Sequence, residues 1–247
     1  MLTNQLKKNI KSLHQLKFRQ KYNKFIAEGP KICEEYLVNG KYEIEQIFCN
    51  QNWYEKNTML VTPFPGKTII CKDKDLNNIS SLKHANKILI VCNMPSSQLK
   101  DSVDLGESWA LYLDDIRDPG NMGTIIRIAD WFGVRHLISS TECVDYYNLK
   151  VVQASMGSHN RVELLVSDFD PLLEVFENTY GLVLDGEDNR INEKISNGLL
   201  IIGNEARGIS PGIAEKLKYK VRIEGKGGAE SLNAAVACGI ACHQLLI

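Results

Sequence analysis

The sequence predicts an α/β protein of two domains, the second built on a mainly parallel sheet with helices on both faces. In residues 108–247, short apolar runs typical of strands alternate with segments of helical periodicity. Such alternation favours parallel strands joined by crossover helices. A smaller α/β domain is predicted in residues 1–95. The stretch 96–107 has no strong apolar period and is interpreted as a linker.

The smaller domain opens with helical periodicity over 4–24, followed by a short apolar run at 25–27. Pro30 suits the first turn of a second helix, and Asn39-Gly40 is a typical helix end. Strand-like runs follow at 44–49, 68–71 and 88–92. Helices and strands therefore alternate in this domain as well.

The second domain begins with an apolar strand at 109–113 and a helix at 122–132. In that helix, apolar residues recur at i, i+3, i+4 and i+7 and form one face. Further strands are predicted at 136–138, 162–166, 182–184, 199–202 and 221–223.

The final helix, predicted over 231–246, is small or apolar on nearly every side. A helix without a polar face is buried. Its alanines and Gly239 would permit a very close approach by a second helix. The pattern indicates either a dimer interface or a deeply buried core helix, and both interpretations stay open.

The net charge of −1 hides a division between the two halves of the chain. Residues 1–99 hold 15 Lys and Arg against 8 Asp and Glu, whereas residues 100–247 hold 14 against 22. Clustered cations bind a phosphate backbone by releasing its counterions, so the basic N-terminus indicates either a nucleic-acid contact or a solvated helical face. The first 25 residues contain no acid and these cations: Lys7, Lys8, Lys11, Lys17, Arg19, Lys21 and Lys24.

The composition of the 247 residues, 44% hydrophobic and 24% charged, is that of an ordinary globular protein. No apolar core follows the basic N-terminus, and the longest uncharged run, 231–247, is too polar for a membrane span. We therefore expect a soluble, cytoplasmic protein without a membrane partner. The seven cysteines form no C-x-x-C pair and no H-E-x-x-H occurs, so we expect free buried thiols and no metal.

Three polar loops that contain glycine follow strands of the second domain, at 118–127, 203–210 and 225–233. Ligands bind at the carboxyl ends of the strands in an open α/β sheet, so the loops are expected to converge on one site. The third loop is not a P-loop, because no Lys-Ser/Thr pair follows its glycines. It is not a dinucleotide loop either, because Glu230 stands where the last glycine of G-x-G-x-x-G would be.

The polar side chains of these loops each allow two interpretations. Asn121 and Ser231 are placed either to cap the helices that follow or to contact a ligand. Arg127 lies beside an apolar stripe and is expected to be partly buried, where a guanidinium needs a phosphate or a glutamate as its partner. Glu205 is then either an exposed loop acid or the partner of Arg127.

Taken together and in this order, the three loops resemble the signature motifs of the SpoU/TrmH family, RNA 2′-O-methyltransferases of the SPOUT superfamily. The matching motifs are D-P-G-N-x-G-x-I-x-R, G-N-E-x-x-G-I-S and G-x-x-E-S-L-N ahead of a helix of small residues. The stretch 153–158 resembles a further family segment. Residues 25–31 resemble the opening of the family's N-terminal substrate-binding domain, so the resemblance extends over most of the chain.

The resemblance implies a deep trefoil knot in the second domain, a homodimer, and S-adenosylmethionine as the cofactor. One departure from the family is Glu224, where many relatives have proline, and the loss of a fixed φ there is expected to tune the cofactor loop. The implied functional side chains are Asn121, Arg127, Glu205, Ser231 and Asn233. The implied cofactor contacts, largely through the backbone, are Leu184, Asp185, Gly186, Gly203, Asn204, Glu205, Ile223, Gly225, Gly228 and Leu232.

The activity that this resemblance implies is methylation of a ribose 2′-hydroxyl in structured RNA, with ribosomal RNA favoured over transfer RNA because of the extra N-terminal domain. Arg127, oriented by Glu205, would hold an RNA phosphate and the developing alkoxide, while the other motif side chains complete the hydrogen-bonding shell. The N-terminal cations would grip the RNA backbone. Two alternatives stay open: methylation of a base, and an RNA-binding or ribosome-assembly factor without catalytic activity.

Overall fold

The computed structural model describes residues 2–82, 87–96, 98, 105, 108–187 and 197–247. The chain forms two compact units, Met1–Ser96 with Asp145–Asn160, and Ser97–Val144 with Arg161–Ile247. The first unit thus takes up a segment from far along the chain, inside the range that the sequence analysis gave to the second domain. Most of the predicted linker, 96–107, lies outside the described residues.

The first unit begins with two helices, α1 Asn4–Ser12 and α2 Leu16–Tyr22, where the sequence predicted a single one. The break between them lies at Gln15, whose backbone is extended. The elements that follow are β1 Lys24–Glu28, α3 Pro30–Asn39, β2 Ile44–Cys49, α4 Gln51–Lys56, α5 Thr58–Val61, β3 Thr68–Ile70, α6 Asp73–Ile79 and β4 Ile88–Asn93.

The strands of the first unit form one mixed sheet in the order β1-β4-β2-β3. β1 and β2 run antiparallel to β4, and β3 runs parallel to β2. Ile26 and Phe48 of this sheet are buried in one cluster with Ile10 of α1 and the following Leu13. Burial of these apolar side chains therefore holds the N-terminal helix on the sheet.

The remaining elements are β5 Trp109–Leu113, α7 Pro119–Trp131, β6 His136–Ser139, α8 Leu149–Ser155, β7 Glu163–Val166, β8 Thr179–Glu187, β9 Gly198–Ile202, α9 Pro211–Ala214, β10 Tyr219–Val221 and α10 Ala234–Leu246. Four of these elements differ from the sequence prediction by two or more residues at an end. β8 extends beyond the predicted 182–184 in both directions, and the last strand starts and ends two residues before the predicted 221–223. α7 starts before residue 122, and α10 starts after residue 231.

The second unit holds a six-stranded sheet in the order β10-β8-β9-β5-β6-β7. Each neighbouring pair is parallel, which confirms the predicted α/β class. Every residue of β5 and of β9 is buried, as expected for the central strands of a parallel sheet. α7 packs on β6, and α10 packs on α7. The trefoil knot implied by the resemblance stays a prediction.

The segment Asp145–Asn160 is tied into the first unit by aromatic and ionic contacts. The ring centroids of Tyr147 and Phe25 lie 4.7 Å apart. Asp145 Oδ2 forms an ion pair with Arg19 Nη2 at 2.7 Å. The stretch 153–158 ends α8 in a turn where Gly157 has a φ of 95°. A Cβ at Gly157 would lie 2.8 Å from the side chain of Glu35, so only glycine fits there.

Two absences can be stated for the residues that the structure describes. No helix among them has the length and apolar content needed to cross a bilayer. No group of three or more His, Cys, Asp and Glu side chains among them is arranged to hold a metal ion.

Candidate active site

The site lies where the strand order of the parallel sheet reverses. From β5 the chain moves to β6 and β7 on one side, whereas β9, β8 and β10 lie on the other side. Because the strands are parallel, the loops that follow β5 and β9 leave the same edge of the sheet. Such a switch point is where open α/β sheets bind their ligands, so these two loops define the candidate site.

The first loop leads into α7 through a cap that the sequence analysis did not assign. Asp118 is the N-cap residue, and its Oδ1 accepts a 2.8 Å hydrogen bond from the backbone N–H of Asn121. Pro119 occupies the first helical position, where its missing N–H costs nothing. The interpretation of Asn121 as an N-cap is therefore wrong, and its side chain is available for other contacts.

Asn121 lies at the centre of a chain of hydrogen bonds that joins all three loops. Its Nδ2 donates to Glu205 Oε1 at 2.5 Å, and its Oδ1 accepts from Asn233 Nδ2 at 2.8 Å. Each donor meets an acceptor, and the chain ends on a carboxylate. The structure thus brings together three of the five predicted functional side chains.

Asn233 also sets the start of α10. It is the N-cap residue, and its Oδ1 accepts from the backbone N–H groups of Ala235 and Val236 at 3.0 and 3.3 Å. The capping role predicted for Ser231 is therefore wrong. Ser231 is exposed, and it makes no hydrogen bond among the residues that the structure describes.

The loop after β9 is rigid because Asn204 ties it on two sides. Asn204 Nδ2 donates to the backbone oxygen of Asp115 at 2.8 Å, and its Oδ1 accepts from the N–H groups of Ala206 and Arg207. A Cβ added at Gly203 would lie 2.3 Å from backbone atoms of the same loop. The tight turn therefore requires glycine and holds Glu205 in place.

Asp115 is a scaffold residue of this site that the sequence analysis missed. Its φ is 56°, a left-handed conformation that aspartate tolerates better than most residues. Its N–H donates to Ser140 Oγ at 3.2 Å, and its carbonyl receives the Asn204 bond. The only sequence signal was the Asp114-Asp115 pair directly after β5. Asp114 is buried and accepts the backbone N–H of Ser210 at 2.6 Å.

Arg127 does not take the place that the sequence analysis gave it. The residue is exposed on α7 rather than partly buried, and within the described residues it forms no ion pair. At 1.5 Å per helical residue it lies roughly 9 Å further along the axis than Asn121. The expected pairing of Arg127 with Glu205 is corrected, because Glu205 is bonded to Asn121 instead.

Comparison with known sequences assigns the family. Residues 108–243, more than half of the chain, match the SpoU rRNA Methylase family. The chain belongs to this family. Residues 4–89 match the MRM3-like substrate binding domain.

One relative aligns over nearly the whole of both chains, and another over part of each. The 23S rRNA (guanosine(2553)-2′-O)-methyltransferase RlmP of Bacillus subtilis is 29% identical over 247 residues, which cover 98% of this chain and 96% of the relative. The mitochondrial rRNA methyltransferase 3 of Homo sapiens is 30% identical over 157 residues, 60% of this chain and 36% of the relative.

Solved SpoU and TrmH structures share the fold over almost the full length. The AdoMet-bound rRNA methyltransferase from Sinorhizobium meliloti superposes with a TM-score of 0.88 at 27% identity, covering 99% of this chain and 95% of that one. A TrmH-family protein from Porphyromonas gingivalis superposes with a TM-score of 0.87 at 31% identity, covering 99% and 98%.

The positions that the SpoU resemblance assigns to the cofactor lie at or after the carboxyl ends of three strands of the parallel sheet. Because β8, β9 and β10 are parallel, the segments at their carboxyl ends leave one edge of the sheet. Leu184, Asp185 and Gly186 lie in the last part of β8; Gly203, Asn204 and Glu205 follow β9; Ile223, Gly225, Gly228 and Leu232 lie between β10 and α10. Glu224, the departure from the family, is exposed.

Four of the seven N-terminal cations are free to meet a nucleic acid. Lys8, Lys11, Lys17 and Lys21 are exposed on α1 and α2. Lys7 is half-buried and pairs with Asp75 at 2.5 Å, and Lys24 pairs with Glu45 at 2.7 Å. These two ion pairs reduce the positive charge that the sequence suggested.

Arg19 is not available to RNA, and its prediction as an RNA contact is corrected. The residue is only 1% exposed. Its Nη1 donates to the carbonyls of Leu13 and His14, both at 3.0 Å, and its Nη2 binds Asp145 at 2.7 Å. The guanidinium satisfies carbonyl groups left at the end of α1, which is a structural role.

Proposed function

We propose that the protein methylates a ribose 2′-hydroxyl in structured RNA with S-adenosylmethionine as the methyl donor, and that its substrate is ribosomal RNA. The observation that carries this proposal is the hydrogen-bond chain Asn233–Asn121–Glu205, which joins one side chain from each of the three motifs at the switch point. The relative RlmP, named for 2′-O-methylation of 23S rRNA, supports both the ribose and the ribosomal substrate.

The carboxyl edge of the sheet suits S-adenosylmethionine, which supplies an electrophilic methyl group on a sulfonium when bound. Gly225, Gly227 and Gly228 are exposed, and a Cβ at each would meet no atom within 4 Å, so a ligand can approach their backbone amides closely. Leu184 and Leu232 are 71% and 46% exposed, which supplies apolar surface for an adenine ring. These features support the cofactor assignment.

Glu205 is the residue best placed to hold the ribose hydroxyl. One carboxylate oxygen binds Asn121, and the other, Oε2, accepts no hydrogen bond from the described residues. We expect Oε2 to accept the hydrogen of the 2′-hydroxyl and so to orient the ribose oxygen towards the methyl group. Fixing the reacting oxygen in line is a large part of what such a site can contribute.

Arg127 supplies an exposed positive charge on the same helix as Asn121. We expect its guanidinium to bind an RNA phosphate next to the reacting ribose and to stabilise negative charge that develops on the oxygen. It performs this role without Glu205 as a partner. Because a guanidinium is not deprotonated in proteins, Arg127 is assigned a charge role and not that of a base.

An apolar groove on the second unit supports a homodimer. The groove has a volume of about 470 Å³ and is lined by α7 and α10, including Ile128, Val236 and Ile240. One side of α10 is buried against its own unit, but Val236 is 52% exposed. A second copy of the chain, packing the same helices into the same groove, would remove this apolar surface from water.

The dimer has a direct test in sedimentation of the full chain. Val236→Asp is expected to yield monomers, since it buries a charge at the centre of the contact. Lys220→Gln on β10 lowers the net charge by the same one unit outside the groove and is the matched control. A monomeric wild type, or a dimeric V236D protein, would contradict this interface.

The state of the cysteines supports the cytoplasm as the compartment. All seven are free. Burial raises the pKa of Cys143 to about 11 and that of Cys49 to about 12, so these thiols stay protonated and unreactive at neutral pH. A reducing compartment keeps such a chain free of disulfides.

The function is tested by transfer of a labelled methyl group from S-adenosylmethionine to unmodified 23S rRNA transcribed in vitro. We expect label in the RNA, and resistance of the labelled linkage to alkali and to nuclease, because a methylated 2′-oxygen cannot attack the phosphate. Label on an alkali-sensitive nucleotide would show base methylation instead. RNA binding without transfer to any ribosomal RNA would show a factor without catalytic activity.

A further inference from the structure

Arg117 and Arg207 both lie within ion-pair distance of the Asp115 carboxylate, in the loop that leads to Asn121 and the loop that holds Glu205. Neither arginine has a role in the function proposed above. Arg117 Nε lies 2.6 Å from Asp115 Oδ1, and Arg207 Nη1 lies 4.0 Å from Asp115 Oδ2. Their side chains are 60% and 74% exposed. The three groups together carry one excess positive charge at the surface of the second unit.

The position of this cluster is set by backbone contacts from two neighbouring loops. Asp115 is held through its N–H by Ser140 and through its carbonyl by Asn204. Asn204 Nδ2 also lies 3.4 Å from Asp115 Oδ2, which holds one side of the carboxylate, while Oδ1 accepts the hydrogen bond from Arg117 Nε. Glu142, a further acid nearby, accepts a hydrogen bond from Thr141 and forms an ion pair with neither arginine.

Stability does not explain the cluster. Exposed ion pairs contribute little to the free energy of folding, because water and salt screen them. Arg117 binds Asp115 through Nε, and neither of its Nη groups makes a hydrogen bond or an ion pair among the described residues. Two parallel N–H groups of a guanidinium match two oxygens of a phosphate, so the open side of this cluster is shaped to bind one.

The cluster is also next to the proposed reacting groups. Arg207 belongs to the same short loop as Glu205, which the Asn204–Gly208 bridge closes. Arg117 lies in the loop between β5 and α7, just before the motif that holds Asn121. Both loops leave the carboxyl edge of the sheet at the switch point.

We propose that Arg117 and Arg207, positioned by Asp115, form a phosphate-binding pair for the RNA backbone flanking the methylated ribose. This inference rests on the proposed function and adds to it a grip on the RNA strand at the site itself. An RNA phosphate fits better than the carboxylate of the cofactor, because both guanidinium groups are open to solvent and not enclosed as a small-molecule site would be.

The pair is tested with Arg117→Gln, Arg207→Gln and the double variant of the full chain. The matched control is Arg135→Gln, because Arg135 is exposed in the same unit and its side chain has no partner among the described residues. The probes are unmodified 23S rRNA, bound over a range of salt concentrations, and S-adenosylmethionine, bound in a calorimeter.

We expect the double variant to bind RNA about tenfold more weakly than wild type. The slope of log Kd against log salt should fall by about 1.4, because each lost contact with a single-strand phosphate lowers it by about 0.7. S-adenosylmethionine should bind within twofold of wild type, and R135Q should match wild type in both assays. An RNA affinity and slope equal to those of R135Q would overturn the proposal. A loss of S-adenosylmethionine affinity would overturn it too, by assigning the arginines to the cofactor.

Asp115→Asn distinguishes the role of Asp115 in positioning the two arginines from its effect on the net charge of the site. Asparagine tolerates the left-handed backbone, so the fold is kept, but the site gains positive charge. If charge alone mattered, RNA would bind more tightly; if Asp115 positions the arginines, the KM for RNA rises while the Kd for S-adenosylmethionine is unchanged. Methyl transfer by the wild-type protein tests the proposed function separately. If the wild type binds RNA without transferring a methyl group, the proposed function fails, but the RNA affinities of the arginine variants and of R135Q can still be compared.

Discussion

Asn121 donates its side-chain amide to the carboxylate of Glu205, which lies 84 residues further along the chain. Glu205→Gln keeps an acceptor for this bond and removes the charge, whereas Glu205→Ala removes both. We expect E205Q to unfold at the urea concentration of wild type, and E205A to lose about 1 kcal/mol from its free energy of unfolding. Both should lose methyl transfer, because the second carboxylate oxygen holds the ribose. Near-normal transfer by E205Q would show that the carboxylate is dispensable.

The convergence of the three loops could be predicted from the sequence, since the carboxyl ends of parallel strands meet at one edge. The capping roles of Asn121 and Ser231 were wrong although a signal was present. Asp118-Pro119 already marks Asp118 as an N-cap followed by proline at the first helical position. The hydrogen bonds of Asn121 with Glu205 and Asn233 could not be predicted from the sequence. Periodicity shows which face of a helix a residue lies on, but not which distant polar group it contacts.

Asn233 combines two roles that its substitutions can separate. Asn233→Ala loses the cap of α10 and should cost about 1 kcal/mol of the free energy of unfolding. Asn233→Asp keeps a capping oxygen but has no amide to donate to Asn121. We therefore expect N233D to be as stable as wild type in urea yet to lose methyl transfer. Ser231→Ala is the control for stability, because Ser231 is exposed. A destabilised S231A protein would contradict the assignment of the cap.

Arg127→Ala should separate binding of the cofactor from turnover. Because Arg127 is exposed and has no ion-pair partner among the residues described, its removal should change the free energy of unfolding by no more than about 0.5 kcal/mol. We expect S-adenosylmethionine to bind normally in a calorimeter while methyl transfer falls by orders of magnitude. Arg127→Lys keeps the positive charge but not the planar guanidinium, so its rate of methyl transfer should lie between those of wild type and R127A. Lost cofactor affinity, or a normal rate of transfer, would refute the role of Arg127.

Arg19 and Lys17 are neighbours on α2 with opposite expected effects. Arg19 is buried against Asp145 and two carbonyl groups, so Arg19→Ala should cost about 3 kcal/mol of the free energy of unfolding. Lys17 is exposed, so Lys17→Ala should leave stability within about 0.5 kcal/mol. In RNA binding, however, K17A should lower the dependence of log Kd on log salt. If K17A left that dependence unchanged, the RNA contact would lie on another surface.

His159 should make the first unit less stable as the pH falls. Complete burial lowers the pKa of its imidazole from 6.5 to about 4, and its Nε2 donates to the carbonyl of Tyr146 at 2.8 Å. Between these two values the unfolded chain binds a proton that the folded chain does not, so folding loses stability as the pH decreases. The loss approaches about 1.4 kcal/mol per pH unit within that window and stops below about pH 4.

The measurement is urea unfolding of wild type and of His159→Gln from pH 7.5 to pH 4. Glutamine keeps an amide donor for the Tyr146 carbonyl but does not titrate, so the variant should show a smaller slope below pH 6.5. The comparison uses the difference in slope, because a change in packing shifts stability equally at every pH. Parallel curves for the two proteins would mean that the imidazole takes up its proton without unfolding, and that the burial of His159 does not control the acid sensitivity of this unit.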